Sequence, residues 1–487
     1  MTSASPPSAR LTRGALSSVV ADLCLAAASL LAAPVMVRAL GPTAFGIYVL
    51  VTVLGGQLGV LQFGLAPAIT RRMAEGRARG DTAAVRATEQ AAWVLALASA
   101  VAIAAAFLAV GPSFFARTGG ITAGVLAAAV AAVAVQPLAG ASQAMLLGRE
   151  RFAALAGVRL VQGVLRSAVG VAVVLSGRGL AAVLLTQAAI DLAASGAAAI
   201  LARDRSARPS SRVAAGRALL GLGLPFAASS VLAGLLVDGE KIVIGWARSL
   251  DQLTYYAVPY AAVLRLAIVP AALATVLAPR LSALAASGLA DEAARMVRRT
   301  TRVTAAVLIA AAAPLAACAP EWLSLWLGAD FAARAAPTTR LLLVAMVVNG
   351  VASPACTVVR AGGRPVVLVL AYAIELPLHL AAVYLLVRGW GITGAAAAWL
   401  LRAALDGFVQ RALAARVLGR ALGGGTELAL GLGALLALAL AVPLLGPAWW
   451  SVRLSAGAAV AALALARGLD RDDWSSLRLA AGRPVTA

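Results

Sequence analysis

Charge, cysteine, histidine and lysine are all scarce in this chain of 487 residues. Only 13% of the residues are charged, about half the share a soluble domain carries, and too few to coat a water-facing surface of this size. The three cysteines, Cys24, Cys318 and Cys356, lie within or beside apolar segments, far apart and without metal-ligand spacing. They read as packing residues and exclude a disulfide framework or a zinc site. The single histidine is His379, and no loop combines carboxylates with histidine or carries a glycine-rich phosphate motif ahead of a helix. No enzyme site, cofactor or metal is therefore expected. Acidic residues number 20 against 41 basic ones, giving a formal charge of +21. On a soluble chain that excess would suggest a nucleic-acid partner; here the cations are scattered between apolar runs, which removes that reading.

What the chain has instead is 62% hydrophobic residues and a mean hydropathy of +0.92. A transmembrane helix takes roughly 20 apolar residues. Runs such as 91–110 and 428–445 are unbroken, whereas a membrane barrel shows short alternating segments. The expected fold class is an all-α polytopic membrane protein. Apolar runs predict about 14 transmembrane helices, near 15–37, 47–69, 89–110, 120–146, 154–175, 180–202, 218–244, 255–278, 303–320, 337–359, 365–387, 392–414, 427–445 and 449–467. The first of these is too long for a signal peptide and reads as a retained helix.

With the N-terminus inside, 28 arginines fall in cytoplasmic segments and seven in outer ones. That bias over short loops predicts both termini in the cytoplasm. The halves also look alike. A shift of 208 brings Tyr48 onto Tyr256, Arg72 onto Arg280 and Gln57 onto Arg265, and a shift of 215 brings Gly179 onto Gly394 and Asp191 onto Asp406. Six helices separate the copies, so they share one orientation and predict two lobes related by an axis along the membrane normal. The expected organisation is a cytoplasmic tail 1–14, an N-terminal lobe 15–203, a cytoplasmic linker 204–217, a C-terminal lobe 218–420, two added helices within 427–467 and a cytoplasmic tail 468–487.

The stretch Pro34-Val-Met-Val-Arg-Ala-Leu-Gly-Pro-Thr-Ala-Phe-Gly-Ile-Tyr48, followed by Phe63-Gly64-Leu65 and a basic loop, resembles the opening of bacterial polysaccharide (O-antigen or exopolysaccharide) flippases. These belong to the multidrug/oligosaccharidyl-lipid/polysaccharide superfamily. Tyr255-Tyr256-Ala257, Pro279-Arg280-Leu281-Ser282, Trp326-Leu327-Gly328, Gly363-Arg364-Pro365 and Gly391-Ile392-Thr393-Gly394 continue the resemblance to about residue 415. It implies a protein of the bacterial inner membrane that carries an undecaprenyl-pyrophosphate glycan from the inner to the outer leaflet by alternating access. A coupling proton or sodium ion and a polysaccharide polymerase complex are implied partners. Multidrug or cation antiporters and lipid II flippases share the fold and stand as alternatives.

Such transport needs a cation for the pyrophosphate and a polar cavity, and a charge at mid-membrane costs at least about 2.5 to 3.5 kcal/mol. Intramembrane polar residues are thus the candidates. Arg265 and Gln57 match in depth across the two halves; Arg159 and Arg166, with Gln162, share one helix face. These are the candidate substrate-binding residues, with internal pairing as the alternative for each arginine. Glu375 and His379, one turn apart, are candidates for proton coupling, with a structural pair or a salt bridge to Arg159 or Arg166 as the alternative. Asp22 is a further candidate for ion coupling, implied by the antiporter relatives' carboxylate in the first helix, with structural pairing as the alternative. Asp238 and Lys241 read as a gate or structural ion pair. An i, i+4 bridge is expected between Arg402 and Asp406, and Arg340 is expected to snorkel outward.

Overall fold

The computed structural model describes residues 7–58, 62, 64–116, 120–202, 211–362, 365–423, 425–446 and 449–469. Among them helices dominate and there is no strand. Among the described residues, nine helices are long and apolar enough to cross a membrane, which establishes the multi-pass, all-α character. The side chain of Asp22, residues 204–210 of the 204–217 linker, and much of the two tails, 1–14 and 468–487, lie outside the described residues.

The chain divides into two compact units, 1–254 and 255–487. The first holds α1 (Pro7–Gln57), α2 (Leu65–Ala78), α3 (Thr82–Ala116), α4 (Ala123–Ala134), α5 (Gln136–Gly148), α6 (Phe152–Leu175), α7 (Leu180–Ala202), α8 (Arg212–Ala247) and the start of α9 (Leu250–Val263). The second holds the rest of α9, a 3-10 turn (Leu264–Ala267), α10 (Ile268–Ala286), α11 (Ala290–Ala317), α12 (Ala319–Leu327), α13 (Ala329–Ala361), α14 (Pro365–Leu418), α15 (Gly425–Ala441) and α16 (Trp450–Gly468).

Helix boundaries follow local chemistry. Asp81 starts α3 by accepting the Ala84 amide at 2.8 Å, and Thr122 and Ser211 start α4 and α8 in the same way. Two long helices are each a pair joined at a sharp kink. The kinks are at Gly41 (φ 79°, ψ 162°) and Gly391 (φ 59°, ψ −142°), conformations that essentially only glycine adopts. The predicted pairs 15–37/47–69 and 365–387/392–414 thus meet almost without a loop.

The predicted helices 47–69 and 255–278 are both interrupted. The first stops at Gln57 and restarts at Leu65; the second passes through the 3-10 turn Leu264–Ala267 before α10 begins. Residues 57 and 265 are the pair matched by the 208-residue shift, so each half breaks its second helix at the same register.

In the first unit, Ile69, Met73, Ala92, Leu146 and Leu219 bury a core shared by α2, α3, α5 and α8. In the second, α13 is the central helix and packs on α10, α11, α12, α14 and α15. Alanine and glycine let these helices approach closely, the usual basis of packing where no hydrophobic drive separates helix from lipid.

Candidate functional site

In the first unit, a chain of polar side chains crosses four helices. Gln143 of α5 donates to Gln162 of α6 at 3.2 Å, and Gln162 donates to the Asp191 carboxylate of α7 at 2.8 Å. Arg166 of α6 reaches Asp191 Oδ2 at 3.2 Å through one terminal nitrogen and Gln187 Oε1 at 3.1 Å through the other. Gln187 then donates to the Tyr48 hydroxyl of α1 at 3.2 Å. Asp191 and Gln187 are buried, whereas 36% of the Arg166 side chain remains accessible. Asp191 therefore neutralises and aims an arginine that keeps one face open. Arg159, two turns earlier on α6, is exposed and takes no part in this chain.

The second unit also holds an ion pair, at positions that the 215-residue shift does not match to the first. Glu375 of α14, before the Gly391 kink, pairs with Arg402 beyond it at 3.3 Å, and both side chains are more than 90% buried. Arg402 stands at the position matching Gln187, four residues before Asp406, the match of Asp191. The expected Arg402–Asp406 bridge does not form: Asp406 accepts from Gln410 at 2.7 Å, one turn further on. Spacing along one helix allowed either partner, but Arg402 turns across the interhelical gap, where Glu375 would otherwise be a lone buried charge. His379 lies one turn beyond Glu375 and is buried. Tyr256, the match of Tyr48, is fully buried and stacks on Tyr260, which in turn meets Trp399.

Gln57 ends α1, and its amide lies against Gly234 of α8, where a Cβ would come within 3.1 Å. Arg265 sits in the 3-10 turn with its side chain exposed. Asp238 and Lys241 form an ion pair one turn apart on α8, with Lys241 buried. Arg340 does not snorkel: it is buried in α13 and donates to the Ala316 carbonyl at 3.3 Å. α13 begins at Ala329, eight residues before the predicted span, so Arg340 lies inside the helix and packs on α11 instead of standing at a helix end. The sequence reading also missed the buried pair between Glu89 and Arg149, in which Arg149 Nε donates to Glu89 Oε1 at 3.0 Å. Its partners are 60 positions apart, and nothing short of the packing of α3 on α5 brings them together.

Within unit 1, Thr43 and Asp251, also matched by the 208-residue shift, hydrogen-bond to each other at 2.5 Å. Thr254 donates to the Pro42 carbonyl at 2.6 Å beside them. These bonds tie the segment after the Gly41 kink of α1 to the start of α9.

Residues 35–336 match the family described as Polysaccharide biosynthesis protein. The chain belongs to that family. The match takes in the LGPTAFGIY stretch, the polar chain of α6 and α7, both helix interruptions and Arg265. A protein of Shigella flexneri named "Putative O-antigen transporter" is 22% identical over 193 residues, 39% of this chain and 44% of that protein. The alignment thus spans less than half the length of that relative. Among solved structures, the lipid II flippase MurJ superposes with a TM-score of 0.66 at 11% identity, covering 97% of this chain and all of the other. An inward-facing multidrug resistance MATE transporter of the MOP superfamily gives 0.66 at 14% identity, covering 80% of this chain and 94% of the other. At these identities the likeness establishes the fold, which this family member shares with both.

Proposed function

We propose that this protein carries a lipid-linked oligosaccharide, a polyprenyl-pyrophosphate glycan, from the inner to the outer leaflet of the bacterial inner membrane by alternating access, with both termini in the cytoplasm. The observation that carries this reading is the family match over residues 35–336. The paired interruptions at Gln57 and Arg265 support a location for the work. The exposed guanidinium of Arg265, set in the 3-10 turn, offers the fork geometry that phosphate oxygens accept. Arg166, held by Asp191 and Gln187 with one face open, is the second phosphate ligand. Its pre-orientation lowers the entropy lost on each encounter. Arg159 serves at the entrance, where an exposed cation attracts the headgroup.

No covalent step is needed. The substrate drives the cycle only through different affinity for the two access states, and an ion gradient biases the direction. Glu375 is placed to link the two, because a proton taken there would remove the charge that holds Arg402, with His379 one turn away as the donor. Asp22 remains a second candidate for ion coupling. Asp238 and Lys241 act as a gate or structural pair, and a polysaccharide polymerase complex receives the flipped glycan.

The test is the leaflet distribution of lipid-linked glycan in cells lacking the protein. Accumulation on the inner leaflet is expected, and unchanged outward delivery would refute the assignment. Loss of resistance to cationic drugs with normal glycan delivery would point to an antiporter, and blocked wall synthesis to a lipid II flippase. Within the proposal, Arg265→Ala is expected to lower the transport rate about 10- to 100-fold, the worth of one charge-assisted hydrogen-bonded contact. Its thermal stability should be unchanged, because the side chain is exposed.

A further inference from the structure

A cavity of about 690 Å³ lies in the second unit, bounded by α11, α15, α16 and the end of α14. Its rim carries six arginines: Arg295, Arg298, Arg299, Arg302, Arg411 and Arg467. None of the residues described around it is acidic. On α11 the two acids before Arg295 are engaged, Asp291 by Arg420 at 3.1 Å and Glu292 by Arg295 at 3.9 Å; the side chains of Glu427 and Asp470 lie outside the described residues. Arg298 and Arg467, from α11 and α16, are exposed. Deeper in, the walls turn apolar through Ile309, Leu430, Ala434, Val460 and Leu463, and Leu430 and Leu463 are themselves exposed.

The gradient has a cause in the fold. The N-terminal part of α11, the start of α15 and the end of α16 lie at one level. Moving from Arg295 to Ile309 along α11 descends about 20 Å at 1.5 Å per residue, and α15 and α16 lose polarity along the same direction. Small residues draw α11 and α16 together at one edge: a Cβ on Gly468 would come within 2.3 Å of Ala306. A slot remains open beside that contact, cationic at its mouth and apolar along its length. Gln57, Arg166, Arg265 and Arg402 do not line it, so it is distinct from the polar clusters described above.

We infer that this slot binds an anionic glycerophospholipid of the bilayer, such as phosphatidylglycerol or cardiolipin, with phosphate against the arginines and acyl chains along α11, α15 and α16. The match is one of charge and of depth. Basic pockets between membrane helices on the cytoplasmic side hold anionic headgroups, and the arginines cluster at the helix ends, the level of bilayer phosphates, rather than mid-helix. A zwitterionic headgroup would bring an ammonium into a ring of guanidiniums. The inference does not depend on which molecule the protein transports.

The test is native mass spectrometry of the delipidated full-length protein incubated with phosphatidylglycerol, cardiolipin or phosphatidylcholine. Retention of the anionic lipids over phosphatidylcholine is expected. Arg298→Gln with Arg467→Gln should weaken retention roughly fivefold per arginine, about 25-fold together, whereas the corresponding lysine substitutions should retain most of it. Ala434→Trp, which fills the slot and leaves the arginines in place, should also remove binding; thermal melting of the lipid-free variants verifies that each is folded. Equal retention of phosphatidylcholine would overturn the inference. So would undecaprenyl phosphate displacing phosphatidylglycerol at lower concentration than phosphatidylglycerol displaces itself, which would make the slot a substrate site. Inorganic phosphate bound equally well by Ala434→Trp and the parent would reduce it to an anion site without a lipid.

Discussion

Glu375→Ala is expected to destabilise the protein by about 3–5 kcal/mol, because it leaves the Arg402 guanidinium buried without its counter-charge. At membrane depth the lone cation has no easy exit: both side chains are more than 90% buried, and Arg402 lies well inside the second segment of α14. Thermal denaturation in detergent should register the loss, and glycan delivery should fall with it. The repeat supplies a sharper form of the experiment. The first unit places arginine on the fifth helix of its half and the acid on the sixth, as Arg166 and Asp191, while the second unit reverses them. Glu375→Arg combined with Arg402→Glu reverses the polarity of the pair in place. The double variant is expected to recover most of the stability that either single one loses. A double variant no better than the singles would mean that surrounding dipoles, and not the pair itself, fix the sign at each position.

The second large effect is expected at Gly46. A Cβ there would stand 2.3 Å from the Leu250 carbonyl oxygen and 2.8 Å from its carbon. Both are backbone atoms, so neither can yield by changing rotamer. Gly46→Ala must therefore push the start of α9 away from α1, at a cost of about 1–3 kcal/mol. The same movement opens the Thr254–Pro42 and Thr43–Asp251 hydrogen bonds. Under the proposed cycle this junction lies on the outer side and opens as substrate leaves. A disulfide between cysteines placed at Thr43 and Asp251, in a chain whose native Cys24, Cys318 and Cys356 are replaced, should then stop transport, and reduction should restore it. Undiminished transport in the cross-linked protein would make the contact a fixed joint.

The candidate site was legible in outline for a reason that these residues illustrate. Polar side chains in a membrane helix are costly enough to be few, so Gln57, Arg166, Arg265, Glu375, His379 and Asp406 stood out from the apolar runs around them. Their partners did not. Arg402 has Asp406 at i+4 on its own helix, and helical spacing alone favours that pair; the structure gives it Glu375, 27 positions away. Arg340 read as an end-of-helix cation and is buried. In each case the choice was made by the neighbouring helix, whose rotation about its own axis leaves no trace in the local sequence.

Hydropathy was sufficient by itself for an all-α membrane chain, the 208- and 215-residue matches suggested its internal duplication, and the stretch 34–48 carried the resemblance to its family. Hydropathy suffices because the bilayer admits few backbone solutions, and each span must announce itself by length and apolarity. Only the tertiary structure decided where each second helix breaks, that Arg166 pairs with Asp191 while Arg402 pairs with Glu375, and that six arginines line the rim of one apolar slot. Those outcomes depend on which helix faces which, and burial free energy sets that for the assembled bundle rather than for any segment of it.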